Sequence, residues 1–332
     1  RRNEVDVKEC HVELWQGVED RVWVASGHFW HPSFLWRVLS AYWRLVIAHR
    51  KVGHYDVLVV GYPGHLDVWL ARFLCQIRRR PLVMDVFMSP YLVASERGIV
   101  AQHPWSGRLL HWFEWLTYRL PDLLIQDTEE YVAWFGGSFG LDATKFRLVP
   151  TGADERVFEP GGEDPGEDVF HVMYYGTFIP NHGVMHIMDA ALRLRDEPSV
   201  HFELIGDGPD LIEARCFAGC HDLANVTFTR WLDQRDLVRK VQQASVCLGA
   251  FGATPQSLMT VQNKIYECMA VGKAVITGRS SVVDRHFRHR HHLFLVKRGS
   301  GAAIAEAILE LRSAPALVKT LELESRRHFL DN

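Results

Sequence analysis

Short, continuous runs of apolar residues alternate with longer stretches of helical periodicity along most of the chain. Continuous rather than alternating apolar runs are typical of strands buried on both faces of a parallel sheet. They predict strands at 57–60, 81–87, 122–126 and 146–150, and again at 170–175, 200–205, 226–228, 246–249, 274–277 and 292–296. Helical spacing predicts helices at 66–77, 105–120, 129–138, 184–195 and 262–271, one from 233, and two after the last strand. This order predicts an α/β protein.

Residues 159–168 are the clearest linker, because they consist only of Glu, Asp, Pro and Gly and cannot build a core. We place a first domain at 1–158 and a second at 169–332, with a last helix that could cross back to the first domain. The pattern of each half predicts a doubly wound, Rossmann-like domain. Two such domains would face each other across a cleft, with ligands at the carboxyl ends of the strands.

The composition excludes several classes of protein. The chain has 332 residues, and a hydrophobic content of 48% excludes wholesale disorder. Lys and Arg number 37 against 40 Asp and Glu, a net charge of -3, which argues against a nucleic-acid partner. No apolar run approaches the roughly 18 residues of a membrane span, and the start shows no signal-peptide core. The scattered cysteines favour reduced thiols in the cytoplasm.

The segment from Asn263 to Thr277 carries the most specific chemistry. Lys264 and Glu267 are three residues apart and therefore share a helix face, and Gly272 ends the helix. A carboxylate about one turn into a helix can accept two hydroxyl hydrogen bonds, as a ribose diol requires, and the lysine could meet a phosphate. The alternative is an ordinary solvated pair on the helix surface, and the spacing alone leaves both interpretations open.

Two further segments, considered together with 263–277, give the sequence a resemblance to a known family. One is the turn Gly206-Asp207-Gly208-Pro209, and the other is 149–158, with Pro150, Gly152, Asp154 and Phe158. In this order the three segments resemble retaining glycosyltransferases of family 4, which have the GT-B architecture of two Rossmann-like domains. The resemblance implies that Glu267 holds the ribose of a nucleotide-sugar donor. The predicted donor-site residues are Gly176, Thr177, His182, Gly183, Gly206, Gly208, Pro209, Asn263, Lys264, Glu267 and Arg279.

The sequence also departs from that family. Met259 stands where many relatives have an acidic residue, and Thr177 and His182 stand where most have an Arg and a Lys. A leaving diphosphate needs cations or oriented N–H groups. The available substitutes are Lys264, Arg279, His182 and the backbone amides of 176–183 at a helix N-terminus. His182 could instead be a plain capping residue.

Candidate catalytic residues of the first domain follow its predicted strands. Asp85 ends one strand, His65 comes shortly after 57–60, and Asp127 follows 122–126. Each could orient an acceptor hydroxyl or act as a base. The alternatives are a structural role for Asp85 and a helix cap for Asp127, a position that Thr128 could also fill.

Two other patterns remain ambiguous. His286, His289, His291 and His292 alternate with arginines, and the cations disfavour a divalent metal, so we predict a solvated edge and no metal site. The segment 27–50 has Trp36 and Trp43 at helical spacing, with arginines at near-heptad spacing. It suits a helix on an anionic membrane surface or a helix packed on a sheet.

The start of the chain is polar, and we predict the fold's second strand at 5–14, without the first strand and Gly-rich turn expected before it. An open sheet edge would follow. Either 5–14 pairs directly with 57–60, or a second copy of the chain covers the edge.

The sequence thus predicts a retaining glycosyltransferase that moves a sugar from a nucleotide-diphosphate sugar to an acceptor hydroxyl. UDP is favoured over GDP, no separate cofactor is expected, and the acceptor is a saccharide, a lipid-linked or a small molecule. A cytoplasmic location is predicted, with peripheral membrane contact as an option. The alternatives are a degenerate, non-catalytic nucleotide- or partner-binding protein and a nucleotide-sugar 2-epimerase.

Overall fold

The computed structural model describes residues 5–12, 32–161 and 169–332. Over these ranges the chain forms two parallel sheets flanked by helices. The first sheet contains β1 (Leu58–Val60), β2 (Leu82–Asp85), β3 (Leu123–Gln126) and β4 (Phe146–Leu148); the second contains β5 (Phe170–Tyr175), β6 (Val200–Ile205), β7 (Val226–Thr229), β8 (Val246–Leu248), β9 (Val275–Gly278) and β10 (Phe294–Val296). The predicted α/β fold with two Rossmann-like sheets is confirmed. Most of the predicted linker, 162–168, lies outside the described residues.

Helices connect the strands and cover both faces of the second sheet, whereas the described part of the first domain has one core. In the first half they are α1 (Pro32–Val52), α2 (Asp67–Arg78), α3 (Pro90–Glu96), α4 (Ile99–Gln102), α5 (Pro104–Thr117) and α6 (Glu129–Phe139), with a 3-10 turn at Ala143–Lys145. In the second half they are α7 (Val184–Arg193), α8 (Leu211–Cys220), α9 (Gln234–Gln243), α10 (Pro255–Met259), α11 (Asn263–Val271), α12 (Ser281–His286), α13 (Gly301–Ser313) and α14 (Pro315–Asp331). The last helix packs on the second domain, where Leu321 is fully buried.

The first sheet has the strand order β1-β2-β3-β4, and all its pairs are parallel. Asp85 at the end of β2 lies opposite Ile125 of β3. Asp127 follows two residues later, so the register brings both carboxylates to the same edge of the sheet. That edge carries the carboxyl ends of the strands, where ligands of open α/β sheets bind.

The predicted strand at 5–14 is wrong over its described part, because residues 5–12 form no strand and pair with none. Val5 and Val7 are 57% and 51% exposed. This segment instead runs beside α1, where Lys8 donates to the carbonyl of Val52 and Cys10 to that of Leu45. Carbonyl groups of α1, rather than a neighbouring strand, are the partners of this segment. Among the described strands, β1 is thus an edge strand of the first sheet. That a second copy of the chain covers this edge stays a prediction.

The second sheet has the order β10-β9-β8-β5-β6-β7. The chain moves outward from β5 through β6 to β7 and returns to β8 on the other side of β5. The strand order therefore reverses between β5 and β8, and the loops that follow these two strands diverge. Doubly wound sheets bind ligands at such a switch point. We call residues 176–183 the glycine loop and residues 249–254 the second loop.

Alternation along β5 distributes two tyrosines to opposite faces of the sheet. Tyr174 belongs to the core beneath α7 and α13, and Tyr175 to the core beneath α11. Both side chains are almost completely buried, at 0% and 5% exposure. Their hydroxyl groups lie near the strand end, and burial of a tyrosine generally requires a partner for that group.

The helix predicted within 27–50 is present as α1, whereas 27–31 lie outside the described residues. Ala41 and His49 of this helix are buried, while Trp36 and Trp43 are 71% and 65% exposed. The exposed tryptophans leave room for the surface contact predicted above, which stays a prediction. Within the described ranges, no helix combines the length and the apolar character that crossing a membrane requires.

Candidate active site

The glycine loop turns closely around the end of β5. At Gly206, whose φ is 137°, an added Cβ would lie 2.1 Å from the carbonyl oxygen of Gly176. No side chain fits there, so the Gly-Asp-Gly-Pro turn after β6 and the glycine loop touch backbone to backbone. Gly183 precedes α7 and directly contacts Gly252 of the second loop. The N-terminus of α7, with its free amides, therefore faces the space between the glycine loop and the second loop.

Lys264 reaches the glycine loop from the first turn of α11. Its side chain is buried, and Nζ lies 4.1 Å from the ring centroid of Tyr174 and 3.5 Å from Nδ1 of His182. An added Cβ at Gly176 would come within 2.8 Å of Nζ, so the ammonium group faces the glycine loop. Burial lowers the pKa of Lys264 to about 7. The charge of Glu267 opposes this lowering, but within the described ranges no carboxylate forms an ion pair with Nζ, and such a buried cation calls for an anion.

His182 is neutral in this setting. Its Nδ1 lies 2.7 Å from the carbonyl oxygen of Thr177, which can only accept, so Nδ1 carries the proton and Nε2 the lone pair. Burial and the neighbouring Lys264 lower the pKa of His182 to about 3. In this setting the ring offers a hydrogen-bond acceptor rather than a positive charge, and a role of His182 at the donor stays a prediction.

Glu267 lies one turn further along α11. Tyr175 donates to its Oε2 over 2.7 Å, and burial raises the pKa of Glu267 while this hydrogen bond and Lys264 oppose the rise. The fixed carboxylate keeps Oε1 available to a diol. Asn263, the first residue of α11, is exposed beside this pair. The structure thus brings Lys264 and Glu267 together at the end of β5.

Arg279 behaves differently from the other predicted donor-site cations. Its Nη1 pairs with Asp284 at 2.5 Å, and its carbonyl accepts a hydrogen bond from Arg298. The positive charge is therefore neutralised within the protein. Thr177 contributes its carbonyl to His182, and Gly208 and Pro209 lie in the turn that leads to α8.

The first domain contributes Asp127 to the junction with the second. Thr260 donates to its Oδ2 over 2.8 Å, while Oδ1 is buried and has no hydrogen-bond partner in the described part of the chain. Burial raises the pKa of Asp127 to about 6, and Asp85 nearby adds to the rise. Asp127 also adds to the raised pKa of Tyr266, the neighbour of Glu267. Asp85 and Asp127 therefore lie on the side of the first domain that faces the second.

Thr128, and not Asp127, caps the N-terminus of α6, because its side chain accepts from the amide of Tyr131. The same Thr128 hydroxyl lies 2.6 Å from the carbonyl oxygen of Met259 in the second domain. Asp127 therefore does not cap the helix, and its carboxylate contacts Thr260 at the junction of the domains.

His65 is placed inside the first domain. Nε2 lies 3.1 Å from the hydroxyl of Tyr118, Nδ1 lies 3.3 Å from the carbonyl of Pro63, and Tyr118 donates to buried Glu114. Burial lowers the pKa of His65. Both ring nitrogens thus have protein partners, and the contacts of His65 do not join it to Asp127. Its catalytic role stays a prediction.

Three of the four histidines of the predicted tract, His286, His291 and His292, lie near His328 of α14, whereas His289 faces β10. His289 accepts from the amide of Leu295, His292 stacks on His328, and His286 lines a narrow pocket with Asp127 and Tyr266.

Three groups that the sequence did not single out are Tyr174, Tyr175 and Arg298. The tyrosines end an apolar strand directly before a glycine, which is the one signal that could have indicated them.

Two Rossmann-like domains that meet over a glycine-lined switch point define the GT-B architecture. Residues 169–313 match the family described as glycosyl transferases group 1. The chain is similar in structure to sucrose-phosphate synthase from Thermosynechococcus elongatus, with 20% identity and a TM-score of 0.72 over 92% of this chain and 75% of that one.

It is also similar to HepE of Anabaena in complex with UDP and glucose, with 17% identity and a TM-score of 0.66 over 86% of this chain and 76% of that one. A further HepE structure, in complex with UDP-glucose, matches with a TM-score of 0.66 and 17% identity, over 87% of this chain and 78% of that one. No curated protein matches the chain in sequence. The likeness establishes the GT-B fold of the chain, and the family match applies to its second domain.

Proposed function

We propose that the protein is a retaining glycosyltransferase whose donor is a nucleotide-diphosphate sugar, with UDP as the favoured nucleotide. The observation that carries the proposal is the buried ammonium of Lys264, which faces the glycine loop without a carboxylate partner in the described ranges. A diphosphate is the ligand that supplies the missing negative charge, and the amides at the start of α7 add donors to it.

Glu267 would hold the ribose of this donor. Its Oε2 is fixed by Tyr175, and its Oε1 can accept from a sugar hydroxyl. UDP is favoured over GDP because HepE, a protein of the same fold, was solved with UDP and with UDP-glucose. The nucleotide would then lie along α11, with the diphosphate at Lys264 and the sugar directed toward the first domain.

Sugar transfer breaks the bond between the anomeric carbon and the diphosphate, and negative charge grows on the leaving oxygen. Lys264 stabilises that charge in a water-poor site, where it counts for more than in solvent. Asp85 and Asp127 line the opposing domain and would orient the acceptor hydroxyl. The acceptor oxygen would bond to the anomeric carbon on the face that the diphosphate vacates, and its proton would pass to the leaving phosphate oxygen, which gives retention without a protein nucleophile.

A panel of nucleotides and nucleotide sugars tests the proposal by thermal shift and by release of UDP. A ligand at 100 times its Kd adds about 2.7 kcal/mol of stability. We expect UDP and at least one UDP-sugar to raise the melting temperature. Lys264→Met should remove this shift while raising the stability of the ligand-free protein, because the cost of the buried charge disappears. Lys273→Met, which affects a cation paired with Glu322, serves as the control. Binding of UDP by Lys264→Met as tight as by the wild type would contradict the proposal.

A non-catalytic nucleotide-binding protein is the second candidate. It is favoured by the neutral His182 and by Met259, whose carbonyl is bound by Thr128 of the first domain. Such a protein would bind UDP and still release none from UDP-sugars in the presence of acceptors, which distinguishes it from the enzyme.

A further inference from the structure

Glu96, at the end of α3 in the first domain, reaches directly into the second domain. Its Oε1 accepts from the amide of Gln256 over 2.6 Å, and the side chains of Thr254 and Asn181 also hydrogen-bond to this carboxylate. Gln256 belongs to α10, Thr254 to the second loop, and Asn181 to the glycine loop. One carboxylate therefore joins three segments of the other domain. Hydrogen bonds to a charged acceptor are the stronger ones in proteins.

The hydrogen bonds continue beyond Asn181 into the second domain. Asn181 donates from Nδ2 to Gln256 over 2.6 Å, and its carbonyl accepts from Ser257 over 2.6 Å. Arg298 donates from Nη1 to both Ser257 and the Gly252 carbonyl, each over 2.8 Å. The glycine loop is thus held between a carboxylate of the first domain and a half-buried guanidinium of the second.

We propose that Glu96 is a positioning residue that couples closure of the two domains to the shape of the glycine loop. This inference rests on the proposed function, because that loop would hold the donor diphosphate. When the domains separate, Asn181 and the Gln256 amide lose the Glu96 carboxylate together. The loop then keeps only its contacts within the second domain, to the side chains of Gln256 and Ser257 and, through Ser257, to Arg298. Closure by the first domain therefore fixes Asn181, and with it the adjoining His182, in the arrangement described above.

Steady-state kinetics of Glu96→Gln tests this coupling. The variant keeps the size of the side chain and removes its charge. We expect kcat for sugar transfer to fall by about tenfold to a hundredfold, the range for weakened hydrogen bonds to a charged group. The Kd for UDP should stay within about threefold of the wild-type value, because Lys264 and Glu267 belong to the second domain. The matched control is Glu129→Gln. Glu129 also crosses the junction, to Arg285, but both side chains are solvent-exposed, so less than about a threefold change is expected.

A reciprocal variant guards against a simple folding defect. Asn181→Asp places a second carboxylate against Glu96 and should lower kcat in the same way. The double variant E96Q/N181D exchanges the donor and the acceptor, so it should recover part of the lost kcat. A wild-type kcat in Glu96→Gln, or a double variant no better than the worse single one, would overturn the proposal.

Small-angle scattering separates this inference from the proposed function. Without any ligand, Glu96→Gln should have a larger radius of gyration than the wild type and than Glu129→Gln, since the domains separate more often. If the wild type neither binds UDP nor transfers sugar, the proposed function fails, and the scattering still decides whether Glu96 holds the domains together. Equal radii in the wild type and Glu96→Gln would overturn the coupling even if UDP binds.

Discussion

Tyr175 and Glu267, 92 residues apart in sequence, are joined by a hydrogen bond of 2.7 Å at the carboxyl end of β5. The phenol is buried in the sheet, and the carboxylate lies on the helix that covers it. A rigid strand thereby orients the group that we assign to the donor ribose. This support distinguishes Glu267 from a freely rotating surface carboxylate.

Replacement of Glu267 tests the ribose contact. Glu267→Ala should weaken UDP binding by about 1.5–3 kcal/mol, since it removes hydrogen bonds to a charged group. Tyr175→Phe should weaken it by about 1 kcal/mol, because the carboxylate stays but loses its support. Isothermal titration calorimetry measures both, with Glu213→Ala of exposed α8 as the control. Unchanged UDP affinity in a folded Glu267→Ala protein would remove the ribose assignment.

Lys264 predicts a pH dependence of both stability and UDP affinity. Its pKa falls from 10.5 to about 7 on folding, so between these values the unfolded chain binds more protons than the native one. Stability should therefore rise with pH through this window, and the rise should be weaker in Lys264→Met. UDP favours the ammonium form, so its affinity should fall as pH rises above 7. Chemical denaturation and UDP titrations at several pH values measure the two effects. A UDP affinity that does not change from pH 6.5 to 9 would place the diphosphate elsewhere.

Asp127 should act in the opposite direction at lower pH. Its pKa rises from 3.8 to about 6, so the native state binds the extra proton between these values. The stabilisation is present below about pH 4 and is lost as pH rises through 6. Asp127→Asn should therefore gain stability relative to the wild type from pH 4 to 7, and should lower kcat if the carboxylate orients the acceptor. Urea denaturation at both pH values gives the difference, and Asp196→Asn, on the surface, controls for general charge effects. A constant difference between wild type and Asp127→Asn would show that Asp127 does not titrate in this range.

Gly206 tests the close approach of the two turns. In Gly206→Ala the Cβ would lie 2.1 Å from the carbonyl oxygen of Gly176, so the loop must shift. We expect a loss of about 2 kcal/mol or more in unfolding free energy, together with weaker UDP binding. In Gly219→Ala, within α8, nothing lies within 4 Å of the new Cβ, and a gain of up to about 1 kcal/mol is expected. Equal stability of the two variants would contradict the packing described here.

Local signals were enough to predict much of the second domain. Strand β5 is a run that is apolar except for His171 and ends at Gly176, and α11 ends at Gly272 in the left-handed conformation. Both bounds depend on neighbours in sequence. The five-residue helix α10 was not predicted, because one turn of helix is too short to show periodicity.

The chemistry of the site depended on contacts that sequence spacing does not encode. His182 is neutral because it is buried and because Lys264, 82 residues away, lies beside it. Capping residues allowed either Asp127 or Thr128, and the choice is decided by Thr260 of the other domain. Charge states and partners of this kind arise only when the chain is folded.

The contact between Gly183 and Gly252 limits how the site can diversify. An added Cβ at Gly183 would lie 2.5 Å from the backbone nitrogen of Gly252, and one at Gly252 would lie 2.2 Å from the Pro180 carbonyl oxygen. Neither loop can gain a side chain at these points without displacing the other, so the two loops form one continuous wall of the site. If the protein transfers a sugar as proposed, a change in sugar specificity is therefore expected from the strand ends of the first domain, which face these loops. Libraries aimed at new specificity are best concentrated there.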